Sequence, residues 1–84
     1  MPATYKTLGQ FLAASPANHA TLSFRQIELI IKRPLPDAAY HHDAWWDNDP
    51  THAHAKAWLE AGWEVQAVDR ERHTVTFHTT TLVL

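Results

Sequence analysis

The spacing of apolar positions divides the 84-residue chain into stretches of helical period followed by a stretch of strict alternation. Between residues 4 and 14, Tyr5, Leu8, Phe11 and Leu12 recur at three- and four-residue intervals. They predict a helix with Thr4 as its N-cap and Pro16 beyond its end. "SPANHA" reads as a loop, and the following "ATL" is long enough for a short edge strand and no more. "LSFRQIELIIKRP" then carries a complete helix start. Ser23 and Gln26 form a capping box, each side chain within reach of the other's backbone amide. Leu22 and Ile27 take the two positions of a hydrophobic staple. Phe24, Ile27 and Ile31 make the buried stripe, and Pro34 closes the helix.

A third helix is predicted from Asp37, as N-cap after Pro36, to about Asp47, with Ala39, His42 and Trp46 on one side. "DNDP" breaks it. Asp49 is the expected N-cap of a fourth helix with Pro50 in its first turn. That helix places His54, Ala57, Trp58 and Ala61 on one face and stops at Gly62. The period then changes to two: Trp63, Val65 and Ala67 point inward, Glu64 and Gln66 outward. "DRER" turns the chain, and "HTVTFHT" returns with Val75 and Phe77 inward. The expected fold is α+β: a cluster of three to four helices closed by a C-terminal β-hairpin, winged-helix-like, with residues 1–84 forming one domain. The alternative is a compact α+β domain in which the hairpin only covers the helices.

Composition adds the source of stability. There is no cysteine, so neither disulfides nor thiolate-held metal can supplement a small core. Four tryptophans, two tyrosines and three phenylalanines can, since each aromatic buries roughly 150–250 Å². The lack of cysteine fits a reducing compartment. No stretch approaches the roughly 18 apolar residues of a membrane helix, and no basic-then-apolar leader opens the chain. The expectation is a soluble, cytoplasmic protein without a membrane partner.

The formal net charge of −2 discourages simple polyanion binding, but its distribution is uneven. Up to Pro36, Lys6, Arg25, Lys32 and Arg33 stand against Glu28 alone. From Asp37 to Glu64, only Lys56 stands against Asp37, Asp43, Asp47, Asp49, Glu60 and Glu64. One face is expected to be basic and the aromatic-rich middle acidic.

The stretches "LSFRQIELII", "LPDAAYHHDAWWDN", "HAHAKAWLEAGWEVQAVD" and "VTF" together resemble a small, largely uncharacterised bacterial domain family. Its pattern runs Leu-Ser/Thr-Phe-x-x-Ile-Glu, Leu-Pro-x-Ser-Ala, Trp-Trp-x-Asn, then His, Ala-Trp-Leu, Ala-Gly-Trp and Val-Asp. "YKTLGQFLAAS" is similar to the family's first helix, so the likeness spans nearly the whole chain. It implies a stand-alone or appended domain and transfers no catalytic residue. Asp37 replaces the usual serine, a near-equivalent cap. "AAYHHD" lacks the arginines expected there, which weighs against nucleic-acid contact by that helix.

The candidate chemistry concentrates between Ala44 and Trp63, which holds all four tryptophans. Trp45 and Trp46 point about 100° apart on a helix, so both cannot face one core. Trp46 and Trp58 are assigned to the core, Trp63 to the underside of the hairpin, and Trp45 is read as half covered or, in the sharper alternative, as a stacking platform for a base or a partner side chain. Asn48 reads first as a turn former and second as an adenine reader. His41–His42 and His52–x–His54 offer imidazoles, but adjacent and i,i+2 positions diverge on a helix, so no metal site and no cofactor is expected. No nucleophile–base spacing, phosphate loop or paired-carboxylate motif marks an enzyme.

Two binding functions follow. The first is a winged-helix-like binder of duplex DNA, reading with the helix before the hairpin (Asn48, Thr51, His52, Lys56) and the hairpin tip (Arg70, Arg72). The second is a protein-interaction or regulatory module using the acidic aromatic face.

Overall fold

A computed structural model describes residues 4–80. Along the chain run α1 (Lys6–Ala13), β1 (His19–Ser23), α2 (Phe24–Ile31), α3 (Asp37–His41), a 3-10 helix (Asp43–Trp46), α4 (Ala53–Glu60), β2 (Trp63–Asp69) and β3 (Thr74–Thr79). The strands form one antiparallel sheet in the order β1-β3-β2. The short strand expected before Ser23 is therefore five residues long and lies at an edge, pairing β3 from His19↔His78 to Ser23↔Thr74. The fold is a small α+β domain, its helices packed against a three-stranded sheet.

The start of α2 forms as its sequence dictates. Ser23 Oγ accepts from the Gln26 amide at 3.0 Å, and Gln26 Oε1 accepts from the Ser23 amide at 2.7 Å. Phe24, Ile27 and Ile31 are buried beneath it, and Leu22, the other staple position, is buried in the same core cluster. The helix ends on Lys32 in the left-handed region, φ 61°, where glycine would be easier. Gly62 does what its type predicts, ending α4 with φ 85°.

Five sequence expectations are corrected. The N-cap of α1 is Tyr5 rather than Thr4, and that of α3 is Pro36 rather than Asp37; neither cap uses a side-chain bond. The third helix is not continuous to Asp47. It stops at His42, which is extended and exposed, and restarts as the 3-10 helix, because the Trp46 indole must reach back to donate to the Ala39 carbonyl (2.9 Å). Asp49 does not cap α4, whose N-cap is His52. The carboxylate instead accepts from the Thr51 amide and hydroxyl and holds a turn one step earlier. Finally, Ala67 is exposed: a bulge between Val65 and Ala67 resets the alternation, so that Val68 packs against the core in its place.

The core is one cluster with an aromatic spine. Phe24 stacks on Trp46 at 5.0 Å, Trp46 on Trp58 at 6.1 Å, and Trp58 meets Phe77 edge-on at 5.4 Å. Leu8, Leu12, Ile27 and Val75 fill the space around them. Close packing of α1 against α4 depends on Gly9, where a Cβ would lie 2.6 Å from the Ala57 carbonyl oxygen. Among the described residues no helix is long and apolar enough to cross a membrane.

Candidate functional site

The residues singled out from sequence lie on the segment that wraps from the 3-10 helix into α4 and on the turn between β2 and β3. Asn48 is the pivot of that segment. Its amide Nδ2 donates to the Val65 carbonyl (3.0 Å), while Oδ1 accepts from the Val65 amide (2.8 Å) and from the Trp58 indole (2.9 Å). One carboxamide thus ties the "WWDN" segment to β2 and satisfies a buried tryptophan. Both acceptor positions of Oδ1 and one of the two Nδ2 hydrogens are engaged within the fold, so the paired acceptor and donor that would read adenine are not free together.

Thr51 and His52 form the exposed entrance to α4, both beside Asp49, with the His52 ring 3.7 Å from its carboxylate. The two Thr51 donors hold the Asp49 carboxyl below its usual range. Lys56, one turn on, faces Glu60 at 3.9 Å across the helix and lines a groove shared with Lys6 and Gln10 of α1.

The hairpin turn is folded back onto the body. His73, at φ 54°, stacks on Phe24 at 5.3 Å and meets Tyr40 edge-on at 5.0 Å; its carbonyl accepts from the Phe24 amide at 2.7 Å. Arg70 is bonded to Asp43, and Arg72 lies 3.8 Å from Asp69 with its side chain 83% exposed. The paired part of the hairpin ends level with β1, since Ser23 and Asp69 both pair with Thr74. The structure brings Arg70 and Arg72 to one turn and Thr51, His52 and Lys56 to one helix start. Between them runs the 3-10 helix with Asp43, which touches Arg70, and Trp45, which touches His54.

Trp45 is half-buried. One face is stacked on the His54 ring at 3.9 Å with the planes 2° apart, and Tyr5 and Trp46 approach edge-on. His54 Nε2 lies 2.6 Å from the Trp45 carbonyl, which can only accept, so Nε2 carries a proton. Burial holds the His54 pKa below its ordinary value; the bond to Trp45 opposes this, and neighbouring His52 adds to the lowering. Trp46, Trp58 and Trp63 are buried, which leaves Trp45 as the one partly exposed tryptophan of the acidic middle. Among the described residues no three His, Asp or Glu side chains converge as metal ligands.

Sequence reasoning missed two organising residues. Glu28 turns back under the α2–α3 loop, accepting from the Leu35 amide (2.8 Å) and the Tyr40 hydroxyl (2.9 Å). Its signal, like that of Asn48, was membership of the quoted "IE" and "WWDN" stretches, where residue type alone says only "helix surface" and "turn". His73 carried no signal, because its role depends on a positive φ in a turn.

Neither comparison with curated proteins nor comparison with solved structures finds a match. A family model does, over residues 5–80, which include every helix and strand described above. The chain belongs to a family described as a domain of unknown function, DUF7662.

Proposed function

We propose that the chain is a non-catalytic binding domain of winged-helix-like architecture that docks on duplex DNA. The observation that carries this reading is topological. A helix, an edge strand, further helices and a hairpin follow in that order, and the first strand pairs with the last to give β1-β3-β2. In such layouts the helix before the hairpin enters the major groove and the hairpin lies along the backbone. The warrant is one of architecture, since function resides in the site and not in the fold.

The groove-facing residues in this reading are Thr51, His52 and Lys56 on the exposed start of α4, with Arg70 and Arg72 on the hairpin turn. Their carboxylate neighbours are solvent-exposed, and exposed pairs of this kind contribute little, so a phosphate can replace them. Asp43, Asp47 and Asp49 stand along the intervening segment and restrict the footprint to few phosphates. About three contacts give a slope of log K against log salt near −3. Equilibrium binding of random-sequence duplex over a range of salt tests this. Replacing Arg70 and Arg72 together by alanine is expected to weaken binding to all sequences alike and flatten the slope by about two. Absence of salt-sensitive binding at low ionic strength sinks the reading.

A further inference from the structure

The exposed face of α2 carries a feature that the core does not use. Phe24, Ile27 and Ile31 face inward, so Arg25 and Leu29, four residues apart, share the outer side of α2, and the left-handed cap at Lys32 brings Lys32 and Arg33 beside them at its end. Leu29 is 63% exposed, the more exposed of only two large hydrophobic residues left at the surface among the described residues. With Pro34 it lines a hollow of about 340 Å³ that Arg25, Glu28, Lys32 and Arg33 also border. Glu28, the single acid of the helix, spends its charge inward on the Leu35 amide and Tyr40 hydroxyl. Among the described residues, no carboxylate comes within ion-pair distance of Arg25, Lys32 or Arg33, whereas Lys56, Arg70 and Arg72 each have one.

We propose that this face of α2 docks an acidic segment of a partner protein, with an apolar side chain of that segment seated on Leu29 and flanking carboxylates on Arg25, Lys32 and Arg33. An apolar centre within a charged rim is the anatomy of a protein interface, and unpartnered cations select a partner of opposite sign. The leucine decides between ligand classes. A phosphate backbone would use the cations and leave Leu29 without a partner. A second copy of this chain would have to bring its acidic middle, where Trp46, Trp58 and Trp63 are internal and Trp45 is half-buried with one face taken by His54. The hollow shares no lining residue with the start of α4 or with the hairpin turn, although Phe24, next to Arg25, bonds to His73 of that turn; the inference rests on Leu29 and not on the DNA reading.

The test uses the intact domain and three probes: a short glutamate-rich peptide with one central leucine, the same peptide with serine at that place, and a duplex DNA. The leucine peptide is expected to bind with salt-sensitive affinity and about tenfold or more tightly than the serine peptide. Leu29→Ser and the pair Lys32→Glu, Arg33→Glu should each reduce that affinity by about tenfold or more. Because these side chains are exposed, their variants should melt with the parent, which separates lost binding from lost folding. The proposal is overturned if the leucine peptide does not bind, if the two peptides bind alike, or if Leu29→Ser leaves affinity unchanged. It is equally overturned if duplex DNA competes for the face, or if the domain dimerises through Leu29.

Discussion

At the scale of single residues, the fold rests on polar side chains whose importance their type conceals. Asn48 looks like a turn residue and is one, yet it also joins the segment before α4 to Trp58 and Val65 through three bonds. Removing it strands an indole N–H and two backbone groups of β2. Asn48→Ala is expected to cost about 1–3 kcal/mol. Asn48→Asp should be no better, because it sets a carboxylate oxygen against the Val65 carbonyl. Urea unfolding measures both, and an unmoved midpoint would remove Asn48 from its central place. His54 gives the pH dependence. Its pKa lies below the ordinary 6.5 in the fold, so the unfolded chain takes up the proton more readily. Its contribution is complete above the unfolded value and is lost as pH falls through 6.5 and on through the lower folded value. Stability is expected to decline as the pH falls through 6.5, with a smaller decline in His54→Phe. A steeper decline in that variant would contradict the assignment.

At the scale of elements, legibility followed the range of the interactions involved. The capping box and staple of α2, the glycine stop of α4 and the inward Val75 and Phe77 were readable, since each is set by neighbours within a few residues. The break at His42 was not, because it serves the distant bond from Trp46 to Ala39. Nor was the bulge in β2, which shifts the register against β3 and exchanges Ala67 for Val68. The three-stranded sheet was only half legible: "ATL" signalled a strand but not its partner. The contact of α1 with α4 illustrates the same limit, as nothing in "TLGQF" says which backbone Gly9 approaches. Gly9→Ala forces a methyl group to within 2.6 Å of the Ala57 carbonyl oxygen unless the helices separate. It is expected to destabilise by about 1–3 kcal/mol, whereas alanine at an open helical site would be mildly favourable. A thermal melt equal to the parent's would show that the two helices are not in this contact.

At the scale of the whole molecule, the charge asymmetry of the sequence becomes two surfaces of different character. The start of α4 and the hairpin turn hold cations matched to nearby carboxylates. The outer face of α2 holds cations without such partners around an exposed leucine. The candidate site was legible in its residues but not in their commitments: Asn48 and one face of Trp45 are used internally, and Arg70 is held by Asp43. Those commitments arise between segments that the chain brings together only on folding. The DNA reading therefore predicts a shallow, docking-dominated interaction rather than a strong electrostatic one. Its most direct measurement is amide chemical-shift mapping of the labelled domain with random-sequence duplex DNA at about 50 mM and about 200 mM salt. The account predicts perturbations at Thr51, His52, Lys56 and the turn from Arg70 to Arg72 that fade at the higher salt. Spectra unchanged at either salt, or shifts confined to Arg25, Leu29, Lys32 and Arg33, would contradict it.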